Sequence, residues 1–335
     1  MLAKPRTYRS IQLLRFLASL QVVLFHISIL KDGYKGVDLF FVISGFVIYS
    51  SSLNKLGSGF TNAILFLLKR VIRIFVPYWS ILLLIISTGY YYSLIGNLSL
   101  KDQLGSIFLL PGHIPFFEVT WSLSYELYFY FLFSLAILIP FSVKIRKWLF
   151  ITAIIITGIL LCLHAANYLL TNKALNFLAG NNIWEFLLGI IAALFCSKLV
   201  KKITAVSVVL FAIAIIGFTC IYIPYGNQQS HPVYGLAAFI IVLISVRLED
   251  LKRLNIPRTF VILGDASYIT YLVHVPIREV FFSKLQVTIF NKIIYIAIVY
   301  VASIAIHLVY EKRVLYKSNS ILYKLFNKKQ PMRKA

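Results

Sequence analysis

Long apolar runs of near-uniform length, separated by short polar breaks, limit what this chain can fold into more than any other feature. Runs able to cross a hydrocarbon core, roughly 17 to 25 residues each, lie near residues 11–30, 36–53, 75–93, 120–140, 147–165, 182–198, 203–223, 232–247, 262–282 and 287–310. With 60% of residues hydrophobic and only 13% charged, the chain lacks the polar surface a water-soluble domain needs. Lipid is the solvent that fits. Because a lipid-embedded backbone must satisfy its own hydrogen bonds, the expected fold is all-α, a polytopic integral membrane bundle of about ten transmembrane helices. Residues 1–315 are expected to form one transmembrane domain, and residues 316–335 a basic tail.

The net charge of +22 would point to a polyanion in a soluble protein. Here the basic residues fall between the apolar runs, so topology accounts for them and nucleic acid is not an expected partner. With the N-terminus inside, the outer loops hold only Lys31, Lys35, Lys101, Lys173, Arg278, Lys284 and Lys292. That asymmetry obeys the positive-inside rule and returns the C-terminus to the cytoplasm as well. The first apolar run follows Lys4, Arg6 and Arg9 but contains Arg15 and His26, so it reads as a retained span rather than a leader. Residues 61–75, with Lys69, Arg70 and Arg73 among Phe66, Leu67, Ile72 and Ile74, read as an amphipathic helix along the inner surface. Residues 93–119, rich in Gly and Pro, form the longest expected outer loop.

Ionisable groups inside spans are costly and mark candidate sites. Arg15 and His26 stand eleven residues apart, which at ~100° per residue places them within ~20° of one helix face and about 16 Å apart along it. Glu126, a little below the outer end of the fourth span, is expected at the depth of His26, as a carboxylate partner for an imidazole base. Ser267, Tyr271, His274 and Arg278 form a single polar stripe on the ninth span, which faces the bundle. Interhelical hydrogen bonding without chemistry would also explain such a stripe. Asp38 and, more weakly, Glu185 sit where a helix N-terminus favours an acid, so capping is their first reading.

Together these stretches resemble the acyltransferase-3 family of membrane acyltransferases. The resemblance rests on Arg15 with His26, on Gly36 to Phe46 (GVDLFFVISGF), on Arg70 and Arg73 in an Arg-x-x-Arg pattern, on Trp121 to Tyr130, and on Gly264 to Pro276. It implies an enzyme that moves an acyl group, usually acetyl, from cytoplasmic acyl-CoA to hydroxyls of surface or lipid-linked glycans, in the bacterial cytoplasmic membrane and without a metal. It also implies roles: His26 as base, Glu126 as its acidic partner, Arg15, Arg70 and Arg73 as donor-binding groups. Asp38, Trp121, Ser124, Tyr271 and His274 then line the site. Many members carry a second acid directly after the first in the Trp-Ser-Leu segment, where this chain has Leu127. The principal alternative, a transporter or flippase for a glycolipid or small solute, predicts inverted repeats with paired broken helices, and the sequence shows no such repeat.

Overall fold

The computed structural model describes residues 8–52, 56, 58–87, 96–111, 115–139, 181–196, 209, 211, 213–215 and 232–327. Every regular element among them is helical. In chain order they are α1 (Arg9–His26), a 3-10 turn (Gly33–Lys35), α2 (Gly36–Ser52), α3 (Phe60–Ser87), α4 (Leu100–Phe108), a 3-10 turn (Glu118–Thr120) and α5 (Trp121–Leu138). Then come α6 (Asn181–Cys196), α7 (Pro232–Asp250), α8 (Arg258–Asp265), α9 (Ser267–Phe282), α10 (Ile289–Ile306), a π-helical turn (His307–Glu311) and α11 (Lys312–Asn327).

Among the described residues, three helices can cross a membrane by length and composition: Phe60–Ser87, Glu118–Leu138 and Ile289–Phe326. The pair α8 and α9 qualifies as a fourth if taken together. The run expected over 147–165 and nearly all of that over 203–223 lie outside the described residues.

Two expectations about the path of the chain are corrected, and a third, the tail boundary, meets a continuous helix. Residues 61–75 do not form a separate surface helix; they are the first half of α3, which continues unbroken through Pro77. At 1.5 Å per residue its 28 residues span about 42 Å. Arg70 and Arg73, expected on an amphipathic helix along the inner surface, instead line an interior cavity together with Glu126. The single span expected over 262–282 is broken at Ala266, where α8 and α9 meet at 62°. Gly264, just before the break, lies against the backbone of Gln12, an approach that a β-carbon would block. Finally, the expected boundary at residues 315 and 316 falls inside α11, which continues from α10 through the π turn.

Two packing arrangements position the site. Gly45 of α2 meets the backbone of Phe186, and Gly189 of α6 meets the backbone of Val42, so these helices cross at backbone contact. Small residues at a crossing are how helices in lipid gain close packing without a hydrophobic driving force. Second, Arg15 donates to Ser267 and the carbonyl of His26 accepts from Arg278. Both contacts join residues 252 apart in sequence, so α1 and α9 run parallel and in register over three turns. The polar stripe of α9 therefore faces the shared Arg15 and His26 face of α1. Both oxygens of Glu249, from the end of α7, accept the backbone N–H groups of Arg9 and Ser10 at 3.0 and 2.7 Å, a carboxylate cap on the positive end of α1.

Candidate active site

The polar residues of α1, α2, α3, α5 and α9 line a cavity of about 80 Å³. Arg15, Arg70 and Arg73 contribute three guanidinium groups; Glu126, Tyr130, Ser44, Ser267, Tyr268, Ser122 and Tyr271 supply the rest of the polar lining. Helical spacing explains the grouping: Arg70 and Arg73 are three apart on α3, and Glu126 and Tyr130 four apart on α5, so each pair shares a face.

Hydrogen bonds fix several of these groups. Nε of Arg15 donates to Oγ of Ser267 at 3.1 Å. Glu126 accepts from the Tyr130 hydroxyl and, at 3.5 Å, from Ser44. The guanidinium of Arg70 lies 5.5 Å from the ring centres of both Phe66 and Tyr130 and donates to Ser51 at 3.4 Å. Cation–π contact holds such a group while leaving some of its N–H donors free for a ligand. Tyr268 donates to the carbonyl of Ile74, joining α9 to α3.

His26 does not line this cavity. It lies at the end of α1, beside a separate cleft formed with Ile27, Ser28, Arg278, Glu279, Phe282 and Val287. Nδ1 of His26 is 2.8 Å from the carbonyl of Val22. A carbonyl only accepts, so Nδ1 carries the proton and the neutral ring keeps a lone pair at Nε2. His274 repeats the arrangement: its Nδ1 bonds the carbonyl of Thr270 at 3.1 Å, and its buried Nε2 has no hydrogen-bond partner. The two imidazoles meet edge to face, with centres 4.9 Å apart. Tyr271 completes the series. It lies 5.8 Å from His274, and its hydroxyl joins Ser122 at 2.8 Å and the carbonyl of Val119 at 2.9 Å. Tyr271 and His274 thus form the wall between the cavity and His26.

The expected pairing of His26 with Glu126 is not what the structure shows. The carboxylate near His26 is Glu118, with Oε2 3.9 Å from Nε2, while Glu126 faces the guanidinium cavity. Glu126 comes eight residues later, about 12 Å along a helix. The sequence reading took the ends of two spans as level and missed that Glu118, in the 3-10 turn, reaches the histidine first. Asp38 is buried, faces Glu185 rather than water, and lines neither space. Trp121 lies half in the open against Phe41 and Tyr125, and Ser124 is buried away from both spaces.

The structure adds residues that the sequence reading passed over. Tyr130 was legible from its four-residue spacing to Glu126. Glu311 was not. It is buried in the π turn, bonded to Nδ1 of His307 at 2.7 Å, and acts electrostatically on Arg15 and Arg73 across more than 200 residues of chain. Among the described residues no group of three His, Cys, Asp or Glu side chains is placed to hold a metal ion.

Residues 8–311 match the acyltransferase domain. The chain belongs to the acyltransferase-3 family. Among curated members, BcsY of Komagataeibacter xylinus, named for a membrane-bound transacylase, is 27% identical over 80% of this chain and 72% of its own length. The exopolysaccharide production protein ExoZ of Rhizobium meliloti is 29% identical over 72% of this chain and 75% of its own. The O-acetyltransferase OatA of Staphylococcus aureus is 26% identical over 82% of this chain, which spans about half of OatA. No solved structure matches. Family membership and the apolar helices make the chain an integral membrane protein of acyltransferase type.

Proposed function

We propose that this acyltransferase moves an acyl group, acetyl in the first instance, from cytoplasmic acyl-CoA to a hydroxyl of a surface or lipid-linked polysaccharide. The observation that carries the reading is the placing of a three-arginine cavity and a histidine with a free Nε2 on opposite sides of one wall, Tyr271 and His274. Guanidinium groups match the phosphates of coenzyme A, and the long pantetheine arm would have to carry the thioester past the wall of Tyr271 and His274 to reach the histidine. His26 takes the proton of the attacking hydroxyl at Nε2, the new C–O bond forms, the C–S bond breaks, and the thiolate leaves to become the free thiol.

The same reading places about ten spans in a bacterial cytoplasmic membrane with both termini in the cytoplasm, and it gives no role to a metal or to nucleic acid. The parallel course of α1 and α9 supports that topology, since a first and a ninth span cross in the same direction. The names of ExoZ and OatA support a polysaccharide acceptor and an acetyl donor. The test is purified protein in lipid nanodiscs with acetyl-CoA and surface polysaccharide of the producing cells. Acetyl ester on the glycan and stoichiometric free thiol are expected; transport of glycan without ester formation would establish the flippase alternative instead.

A further inference from the structure

The cleft on the outer side of His26 has the chemistry of a sugar site. About 380 Å³ of space opens there between the end of α1 and the last turns of α9. Its floor is His26, its rim carries the ion pair of Arg278 with Glu279, and one side is the half-buried ring of Phe282. Glu118 approaches His26 from the 3-10 turn before α5, with its own side chain 67% exposed.

Three further observations describe the surroundings of the cleft. Ser28, which lines the cleft, has φ +54°, a left-handed conformation uncommon for a residue with a side chain. It follows the end of α1, and the chain turns away just after His26, whose imidazole forms the floor of the cleft. Nη1 of Arg278 is already committed to the His26 carbonyl at 3.2 Å and Nη2 to Glu279, so the guanidinium is fixed rather than free to capture an anion. The nearby Nε2 of His274, fully buried, is without a partner.

We infer that this cleft binds the acceptor as an uncharged pyranose, its apolar ring face against Phe282, its neighbouring hydroxyls on Glu279 and Glu118, and the hydroxyl to be acylated at Nε2 of His26. The identification of an acceptor rests on the acyl-transfer reading; the class of sugar rests on charge. Arg278 is balanced by Glu279, and Glu118 adds a negative charge, so the cleft is neutral to acidic. A uronate or phosphate-bearing sugar is repelled there, in contrast to the guanidinium cavity beyond the wall. A sugar also presents what these groups bind: C–H faces for an aromatic ring and vicinal hydroxyls for carboxylates. Because Nδ1 of His26 is held by Val22, Glu118 acts on the acceptor side of the ring and not as the orienting acid of a triad.

The experiment uses the full-length protein in nanodiscs and polysaccharide from the producing cells, separated by anion exchange into neutral and acidic fractions. Labelled fractions are tested for direct binding, and acetyl transfer to each is measured separately. Wild type is expected to bind and acetylate the neutral fraction. Phe282→Ala should raise the half-saturating concentration of that fraction at least tenfold with kcat changed less than twofold, and Phe282→Trp should restore it. Glu279→Gln frees the charge of Arg278 and should shift preference toward the acidic fraction. Phe195→Ala, on the open face of α6, serves as the control and should resemble wild type. Unchanged acceptor saturation in both Phe282→Ala and Glu279→Gln, or a wild-type preference for the acidic fraction, overturns the inference. Binding of the neutral fraction without acetyl transfer would overturn the enzymatic reading while leaving the sugar site standing.

Discussion

The guanidinium cavity and the histidine cleft differ in everything but their nearness. The first is enclosed by five helices and crowded with charge: three arginines against Glu126, with Glu311 behind. The second is a cleft in which the one guanidinium is consumed by a neighbouring carboxylate and a carbonyl. On the proposed reading, one space takes an anion with phosphates and the other a neutral ligand whose hydroxyl must lose a proton. What the contrast teaches is that neighbouring spaces in one helical bundle can differ sharply in charge, which under the proposed function would sort a phosphate-bearing donor from an uncharged acceptor. The separating element is small, a tyrosine and a histidine on one helix.

The largest expected effect falls on the cleft side. His26→Ala removes the only side chain that the reading gives to proton transfer, and acetylation should fall at least about a hundredfold while binding of acetyl-CoA to the cavity persists. Turnover and equilibrium binding, measured on the same preparation, separate the two. Loss of both together would mean that the cavity and the cleft are one site.

An effect nearly as large should follow from breaking the register that joins the two regions. One Leu inserted between Ala18 and Ser19 rotates His26 by ~100° relative to Arg15 and moves it ~1.5 Å. The contacts of α1 with Ser267 and with Arg278 are then not satisfied together. Membrane abundance and acetylated glycan are the measurements, and retained activity at normal abundance would show that the parallel pairing is incidental.

On the cavity side, Arg70→Ala with Arg73→Ala should raise the half-saturating acetyl-CoA concentration by about tenfold or more, since each lost charge-assisted hydrogen bond costs ~1.5–3 kcal/mol. Acceptor saturation should stay put. If instead the acceptor constant moved, the assignment of the two spaces would be reversed.

A smaller, more telling change is expected at the wall. Tyr271→Phe deletes the hydroxyl that joins Ser122 and Val119. Loosening the wall should lower transfer by a few-fold and raise acceptor-independent hydrolysis of acetyl-CoA by a similar factor. Thiol release without glycan reads that leak directly. Smallest of all, His307→Gln should weaken acetyl-CoA use about twofold, because Glu311 keeps its charge and loses a single hydrogen bond to its carboxylate.

Much of this was visible in the linear chain. The all-helical class followed from the apolar runs, and the family from five motifs in order. The face shared by Arg15 and His26 followed from an eleven-residue interval, which is three turns of any α-helix. The stripe Ser267, Tyr271, His274 and Arg278 followed from the same periodicity. These are properties of one helix, set by local geometry whatever its neighbours do.

What the tertiary structure alone decided is which group on one helix meets which on another. Glu126 went to the arginines and Glu118 to the histidine, because helix ends are not level and a 3-10 turn extends one of them. Arg70 and Arg73 turned inward, where the partly buried Glu126 faces them and two aromatic rings hold Arg70, although their spacing alone suggests an amphipathic surface helix. Asp38 met Glu185 across helices brought together by Gly45 and Gly189. Glu311 joined the cavity from the far end of the chain through a π turn that no periodic pattern announces. Sequence periodicity fixes direction around an axis; the heights, tilts and partners of the axes come from packing, and in this protein the separation of cavity from cleft depends on them.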